Sequence, residues 1–310
     1  MIQLTSLTKK YTDKVAVNNI SFQVHPGVVT GFLGPNGAGK TTTMRMILNL
    51  AAPTAGRVTV DGKSYAALDA PLKKIGAMVD VNAIESRLTP RQHLEILTTA
   101  SGVVHGKVDD MLTIVGLKEV ANKKIGEFSF GMRQRVGIAA ALIGDPETVM
   151  MDEPFNGLDV EGIHWLRTLL RDLAKQGKAV LISSHLLSEV QEIADRIIVL
   201  ARGELIADMS MDEMQARSLN SYVQVQSNDT SKLREILITS GARVDMVEPE
   251  ILRVRKMNAR RIGDIAFANE LRIYELVTHQ PSLEQLFTEL VEGKTEYKGT
   301  NLRPDREELK

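Results

Sequence analysis

The sequence predicts an α/β fold with a parallel sheet covered on both faces, followed by a second and smaller α+β unit. Continuous apolar runs at Thr148–Met151 and Ala179–Ser183 have the composition of strands buried on both faces. A glycine-rich loop, Gly34–Thr42, joins the apolar run Val28–Leu33 to a helical segment. Strands and short helices alternate again after about residue 215, and a length of 310 residues suits two domains.

The first part of the chain is predicted to begin with strands and to continue with helices. Residues 1 to about 80 are rich in strand patterns, with one helix after the glycine loop. A mostly helical subdomain is predicted over about 84–145. Its first helix begins with the N-cap Thr89 before Pro90, its second ends at Gly116, and its third runs from Ser129 to Ile143.

The remaining segments complete two domains and a tail. A helix over Ile163–Lys175 separates the two buried strands, and a closing hairpin follows near residues 196–207. The order βαββαβα after that predicts a small split-βαβ sandwich whose last helix spans Ser282–Val291. We therefore expect the domains listed here: a main domain at 1–215, a small α+β domain at 216–292 and a polar tail at 293–310.

Composition excludes several classes of function. The formal net charge is -1, which gives no global electrostatic reason to expect a nucleic-acid partner. The absence of cysteine excludes disulfides, zinc–thiolate sites and cysteine nucleophiles. No apolar run reaches the roughly 18 residues of a membrane-spanning helix, so we expect that the chain does not cross a membrane.

The glycine-rich loop carries the strongest chemical signal. It matches G-x-x-x-x-G-K-[ST], whose backbone N–H groups and following helix N-terminus bind phosphate. Lys40 is expected to reach the β- and γ-phosphates, and the Thr41 hydroxyl is expected to bind Mg²⁺. The predicted phosphate-binding residues are Gly34, Pro35, Asn36, Gly37, Ala38, Gly39, Lys40, Thr41 and Thr42.

Two adjacent carboxylates form the second signal. Asp152 and Glu153 follow a buried strand, and strand ends of this kind face the ligand crevice in a doubly wound sheet. Asp152 is therefore expected beside the Mg²⁺ bound by Thr41, with Glu153 as a general base for water near the γ-phosphate. A phosphate loop alone leaves kinases, GTPases, motors and transporters open.

The segment Phe128–Arg135 resembles the signature motif of ABC-type ATPases, usually written L-S-G-G-Q. Ser129 and Gly131 match that motif. The other three positions depart from it, and an apolar third position with Met at the fifth resembles the cassettes of ABC-2-type exporters. Ser129 also caps a helix, whose N-terminal N–H groups attract negative charge. In the family, this end contacts the γ-phosphate of a nucleotide held by the opposite cassette of a dimer.

Four further residues take roles that this resemblance implies. Asp159 lies in a segment similar to the D-loop, which crosses the dimer interface in the family, and His185 resembles the switch histidine that positions the attacking water. Tyr11 stands where the family has an aromatic residue that stacks on adenine. Asp80 occupies the place of the Q-loop glutamine, as Glu does in some antibiotic-export and immunity cassettes, and could approach Mg²⁺.

The resemblance implies a P-loop NTPase core of the ABC type, with an inserted helical subdomain and ATP and Mg²⁺ as ligands. Its partners would be a second cassette, identical or different, and an integral membrane permease, which is expected to dock near residues 80–100 on the cytoplasmic face of the cell membrane. The expected function is ATP hydrolysis that powers transport, with export favoured. The alternative is a non-transport ABC ATPase that acts on DNA or the ribosome.

Overall fold

The computed structural model describes residues 1–102, 107–185, 190–216, 222–248, 250–279 and Leu290. The chain divides into two compact units, the first over Met1–Met211 together with Leu290, and the second over Asp212–Glu289. The predicted helix Ser282–Val291, apart from Leu290, and the predicted tail lie outside the described residues. Within the described ranges, no helix combines the length and the hydrophobicity that a membrane-spanning segment needs.

A six-stranded sheet forms the centre of the first unit and confirms the predicted α/β class. Its first five strands are parallel, and the sixth pairs antiparallel as the second half of the closing hairpin. In spatial order the strands are β5 (Ile75–Met78), β6 (Thr148–Met151), β7 (Ala179–Ser184), β3 (Val29–Leu33), β8 (Arg196–Ala201) and β9 (Glu204–Ser210). Strands β3, β6 and β7 are buried along their whole length, as expected for a sheet covered on both faces.

A separate antiparallel sheet adds a second layer to this unit. Its strands, in spatial order, are β2 (Lys14–Val24), β1 (Ile2–Tyr11) and β4 (Ala55–Val60). Apolar side chains of this layer, such as Leu4 and Ile20, share one core with Phe32 of β3 and Met44 of the helix that follows the glycine loop. Because this core packs against both β3 and that helix, it holds the two ends of the glycine loop in place.

Helices cover the central sheet and form the predicted helical region. They are α1 (Lys40–Ile47), α2 (Pro71–Lys74), α3 (Pro90–Ser101), α4 (Lys107–Ile114), α5 (Phe130–Leu142) and α6 (Val160–Lys175), with the short α7 (Met211–Ala216) at the unit boundary. Helix α3 begins as predicted at Thr89, which forms a capping box with Gln92, and Pro90 takes the first helical position.

The second unit is an antiparallel sheet with two helices and a core of its own. Along the chain its elements are β10 (Tyr222–Ser227), α8 (Thr230–Thr239), β11 (Arg243–Glu248), β12 (Ile251–Arg255), α9 (Ala259–Ala268) and β13 (Ile273–His279). The spatial order β11-β12-β10-β13 is that of a split-βαβ sandwich. Leu233, Leu237, Leu252 and Ile262 are fully buried in its core.

Candidate functional site

The phosphate loop lies between the end of β3 and the start of α1. Gly39 is the N-cap of α1 with a φ of 106°, a conformation that side chains with a Cβ rarely adopt. A Cβ at this position would also lie 2.5 Å from the carbonyl oxygen of Ala16 in β2. Only glycine therefore fits here, and the loop closes tightly enough to leave backbone N–H groups available to an anion.

The loop encloses a cavity of about 200 Å³ beside the start of α1. Lys40 is buried beneath it and donates a hydrogen bond from Nζ to the carbonyl oxygen of Gly34, at 2.7 Å. The lining residues are Ala16, Pro35, Asn36, Gly37, Ala38, Gly39, Lys40, Thr41, Thr42 and Glu153. Eight of the nine predicted loop residues therefore share one cavity with the predicted general base.

Asp152 lies beside Thr41, as the sequence predicts. The Thr41 hydroxyl donates to Oδ2 of Asp152 at 2.5 Å, and the Ser183 hydroxyl donates to Oδ1. A hydroxyl and a carboxylate at this distance form the hard oxygen pair that Mg²⁺ accepts from proteins. Across the part of the chain that the structure describes, no three His, Cys, Asp or Glu residues gather as a metal centre.

Glu153 contacts two other candidate residues through its two carboxylate oxygens. Its Oε2 lies 2.5 Å from Nδ1 of His185 and accepts a hydrogen bond from the His185 backbone N–H at 3.2 Å. Its Oε1 lies 3.5 Å from Nζ of Lys40. The carboxylate thus lies between a cation that faces the cavity and an imidazole at the end of β7.

Two residues that hold this carboxylate pair were missed as site residues by the sequence analysis. Ser183, fully buried in β7, bonds Asp152 and also accepts from the Glu153 backbone N–H at 2.9 Å. Gln134 of α5 donates to the backbone carbonyls of Glu153 and Asn156. Ser183 could have been recognised as a hydroxyl near the end of an otherwise apolar strand. The hydrogen-bond acceptors of the buried Gln134 amide, in contrast, cannot be read from a sequence pattern.

Ser129, Gly131 and Asp159 are not among the residues that line the cavity. Ser129 caps α5 by accepting from the Met132 backbone N–H at 3.2 Å, and Asp159 caps α6 by accepting from the Gly162 N–H at 2.9 Å. A Cβ on Gly131 would lie 2.5 Å from the carbonyl oxygen of Gly157. The signature-like segment Phe128–Arg135 and the D-loop-like segment Asn156–Asp159 are therefore packed against each other.

Tyr11 and Asp80 have partners other than the residues of the cavity. Tyr11 is about half exposed at the end of β1, with Nζ of Lys9 4.9 Å from its ring centroid. Asp80 follows β5 and accepts a hydrogen bond from the Asn82 N–H at 2.9 Å, which caps a short 3-10 helix. Adenine stacking by Tyr11 and an approach of Asp80 to Mg²⁺ stay predictions.

The site and the sheet define a P-loop nucleoside triphosphatase. The family described as ABC transporter matches residues 17–156, and a domain of unknown function matches residues 221–284. The bacitracin transport ATP-binding protein BcrA of Bacillus licheniformis is 35% identical over 95% of this chain and 98% of its own length. The Nod factor export ATP-binding protein I of Rhizobium etli is 32% identical over 93% of this chain and 92% of its own length.

Solved structures show the same architecture. An ATP-binding subunit of an ABC transporter has a TM-score of 0.65 and 26% identity over 70% of this chain and 92% of its own. A dimeric ATP-binding cassette in a post-hydrolysis state with ADP and Pi has a TM-score of 0.63 and 27% identity over 68% of this chain and 99% of its own. The chain belongs to the ABC transporter ATP-binding protein family, and it is an ATP hydrolase.

The close packing of Phe130 against Gly157 can be tested by substitution. A Cβ on Gly157 would lie 2.1 Å from Cδ1 of the Phe130 ring, and Gly157 also has a φ of 74°. We expect Gly157→Ala to lower the free energy of unfolding by about 1–2 kcal/mol for the backbone and by about 1–3 kcal/mol more for the clash. Urea unfolding followed by the fluorescence of Trp165, the single tryptophan, measures this.

Gly177→Ala is the matched control, because Gly177 has a φ of 87° with no atom within 4 Å of its Cβ position. It should show the backbone cost alone. Adding Phe130→Ala to Gly157→Ala should recover the part of the loss that Gly177→Ala does not show. Equal losses in Gly157→Ala and Gly177→Ala would contradict the contact.

Proposed function

We propose that the chain hydrolyses ATP in a head-to-tail pair of cassettes, and that this cycle powers export through a separate membrane permease. One observation carries the proposal: the residues for phosphate binding and water activation share one cavity, whereas Ser129 and Gly131 do not line it. In the proposed pair, the second cassette would complete the site by placing its own Ser129, at the N-terminus of its α5, against the γ-phosphate. The dimeric form of the post-hydrolysis cassette supports this arrangement.

The proposed chemistry uses Glu153 as the general base. Its carboxylate takes a proton from the attacking water while the water oxygen bonds to the γ-phosphorus and the bond from that phosphorus to the bridging oxygen of ADP breaks. The Nδ1 contact with His185 holds Oε2 in place during this transfer. Lys40 is buried and close to the other carboxylate oxygen, so it can contact the phosphates and Glu153 together. Loss of the γ-phosphate then removes the negative charge that joins the two cassettes, and the pair opens.

Mg²⁺ is the proposed metal, with Thr41 and Asp152 as the residues that would hold it. When bound, Mg²⁺ would neutralise charge on the β- and γ-phosphate oxygens. The Ser183 hydroxyl orients Asp152 by bonding its second oxygen, which leaves the Thr41 side of the carboxylate facing the loop. This support from a neighbouring strand is of the kind that commonly tunes metal ligands.

Export is the proposed direction, and the cytoplasmic face of the membrane is the proposed location. Relatives that match nearly the whole chain are bacitracin transport and Nod factor export proteins, and a lantibiotic transport ATP-binding protein of Streptococcus pyogenes is 34% identical over 68% of the chain. Membrane attachment would come through the permease. Purification of the tagged chain from membranes of its host should recover an integral membrane protein; recovery of ribosomes or DNA instead would contradict this proposal.

Glu153→Gln tests the catalytic role. The substitution keeps size and removes the base, so we expect ATP binding within about twofold of wild type and a kcat lower by about 10²–10⁴-fold, the usual contribution of a general base. Steady-state phosphate release and calorimetric titration with ATP and Mg²⁺ measure the two. Glu161→Gln, the same change at an exposed position of α6, should leave kcat unchanged. Wild-type turnover in Glu153→Gln would rule out this base.

Ser129→Ala tests the role of the opposite cassette. In the Glu153→Gln background, ATP should convert monomer to dimer, because nucleotide is bound but not hydrolysed. Removing the Ser129 hydroxyl should weaken this dimer at least tenfold while leaving ATP binding by the single chain unchanged. Sedimentation velocity with and without ATP measures it, and Ser64→Ala, at an exposed position, is the control. A full-strength dimer in Ser129→Ala would contradict the head-to-tail arrangement.

A further inference from the structure

A buried glutamine connects the signature-like helix to the catalytic loop. Gln134 lies in α5, five positions after Ser129, and its side chain is only 2% exposed. Its Nε2 donates to the backbone carbonyl of Glu153 at 3.2 Å and to that of Asn156 at 3.1 Å. One amide group thus binds both the general base and the first residue of the D-loop-like segment.

The two carbonyl partners fix the orientation of this amide. Because both are acceptors, the NH₂ group must face them, and Oε1 then points elsewhere. Within the described residues Oε1 is buried and has no hydrogen-bond partner. An unpaired buried acceptor destabilises the folded protein, so stability alone does not account for this side chain. What the side chain provides is a pair of hydrogen bonds to the loop that carries Glu153.

The hydrogen bond from Gln134 to the Glu153 carbonyl helps to hold Glu153 in an unusual backbone conformation. Glu153 has a φ of 50°, which is strained for a residue with a side chain. Its N–H is held by the Ser183 hydroxyl from β7, and its carbonyl by Gln134 from α5. The fixed backbone sets the position and direction from which the side chain leaves the chain, and from there the carboxylate contacts His185 and Lys40.

We propose that Gln134 is a positioning residue that holds Glu153 ready for hydrolysis and makes its position depend on the placement of α5. In the proposed dimer, on which this inference rests, the N-terminus of α5 contacts the nucleotide of the opposite cassette. Helix α5 is continuous from Phe130 to Leu142, so a shift at its start reaches Gln134 within little more than one turn. Binding of one ATP is thereby communicated to the catalytic carboxylate of the other site.

Gln134→Met is the primary test, since methionine fills a similar volume without donating a hydrogen bond. We expect a kcat about 10–100-fold below wild type, while the Kd for ATP with Mg²⁺ stays within twofold. In the Glu153→Gln background, the Gln134→Met chain should still form the ATP-dependent dimer. Such a result would mean that the substitution impairs hydrolysis but neither ATP binding nor dimer formation. A general loss of structure would impair all three. Gln176→Met, at an exposed position, should match wild type in all three measurements.

A second variant serves if Gln134→Met does not fold, as judged by Trp165 fluorescence. In Gln134→Glu a protonated carboxyl can donate one hydrogen bond, whereas a carboxylate repels both carbonyls. Burial disfavours the charged form of a carboxyl, so the pKa of this buried Glu should be raised and more of it protonated at pH 6 than at pH 8.5. The kcat of Gln134→Glu relative to wild type should therefore be higher at pH 6. Wild-type kcat in folded Gln134→Met or in folded Gln134→Glu at pH 8.5, or equal losses of binding, dimer and kcat, would overturn the inference. Failure of the wild-type chain itself to hydrolyse ATP or to dimerise would instead overturn the proposed function.

Discussion

The shared carboxyl edge of three neighbouring parallel strands is the constraint on which the site depends. Strands β6, β7 and β3 are adjacent in the sheet, and each leads directly into a functional segment at the same edge. Asp152 and Glu153 follow β6, His185 follows β7, and the phosphate loop follows β3. Residues more than 100 positions apart in sequence thus meet within hydrogen-bond distance, as Thr41 and Asp152 do at 2.5 Å. They converge because neighbouring parallel strands have their carboxyl ends at the same edge of the sheet.

The meeting of these strand ends also brings opposite charges together, because Lys40 and Glu153 both line the cavity. Lys40 is almost wholly buried, and a buried ammonium is costly unless it is paired and hydrogen-bonded. The Gly34 carbonyl and the Glu153 carboxylate provide these partners within the protein. The same cation is available to phosphate oxygens that enter the loop. Glu153 therefore contacts Lys40 through one carboxylate oxygen and His185 through the other.

Sequence patterns predicted the sheet class, the helical region and the main residues of the cavity, because these depend on local composition and on strand order. The contributions of Ser183 and Gln134 were not predictable in the same way. Both act through hydrogen bonds to the backbone of Glu153, and such bonds depend on how β7 and α5 pack against that residue. The fit of Phe130 against Gly157 likewise depends on atomic contact, although both residues stand in recognisable motifs. Periodicity carries no information of this kind.

The separate core of the second unit has an evolutionary consequence. The residues of that core come from the unit's own strands and helices and the turns between them, from Val223 to Leu276. The lantibiotic transport relative matches 92% of its own length to only 68% of this chain, so a cassette of this kind exists without a counterpart for the remainder. A change in the interior of the second unit alters side chains that pack in a cluster of that unit's own residues. Substitutions in that cluster can therefore accumulate under selection on the second unit, while the phosphate loop and the carboxylate pair keep their own contacts.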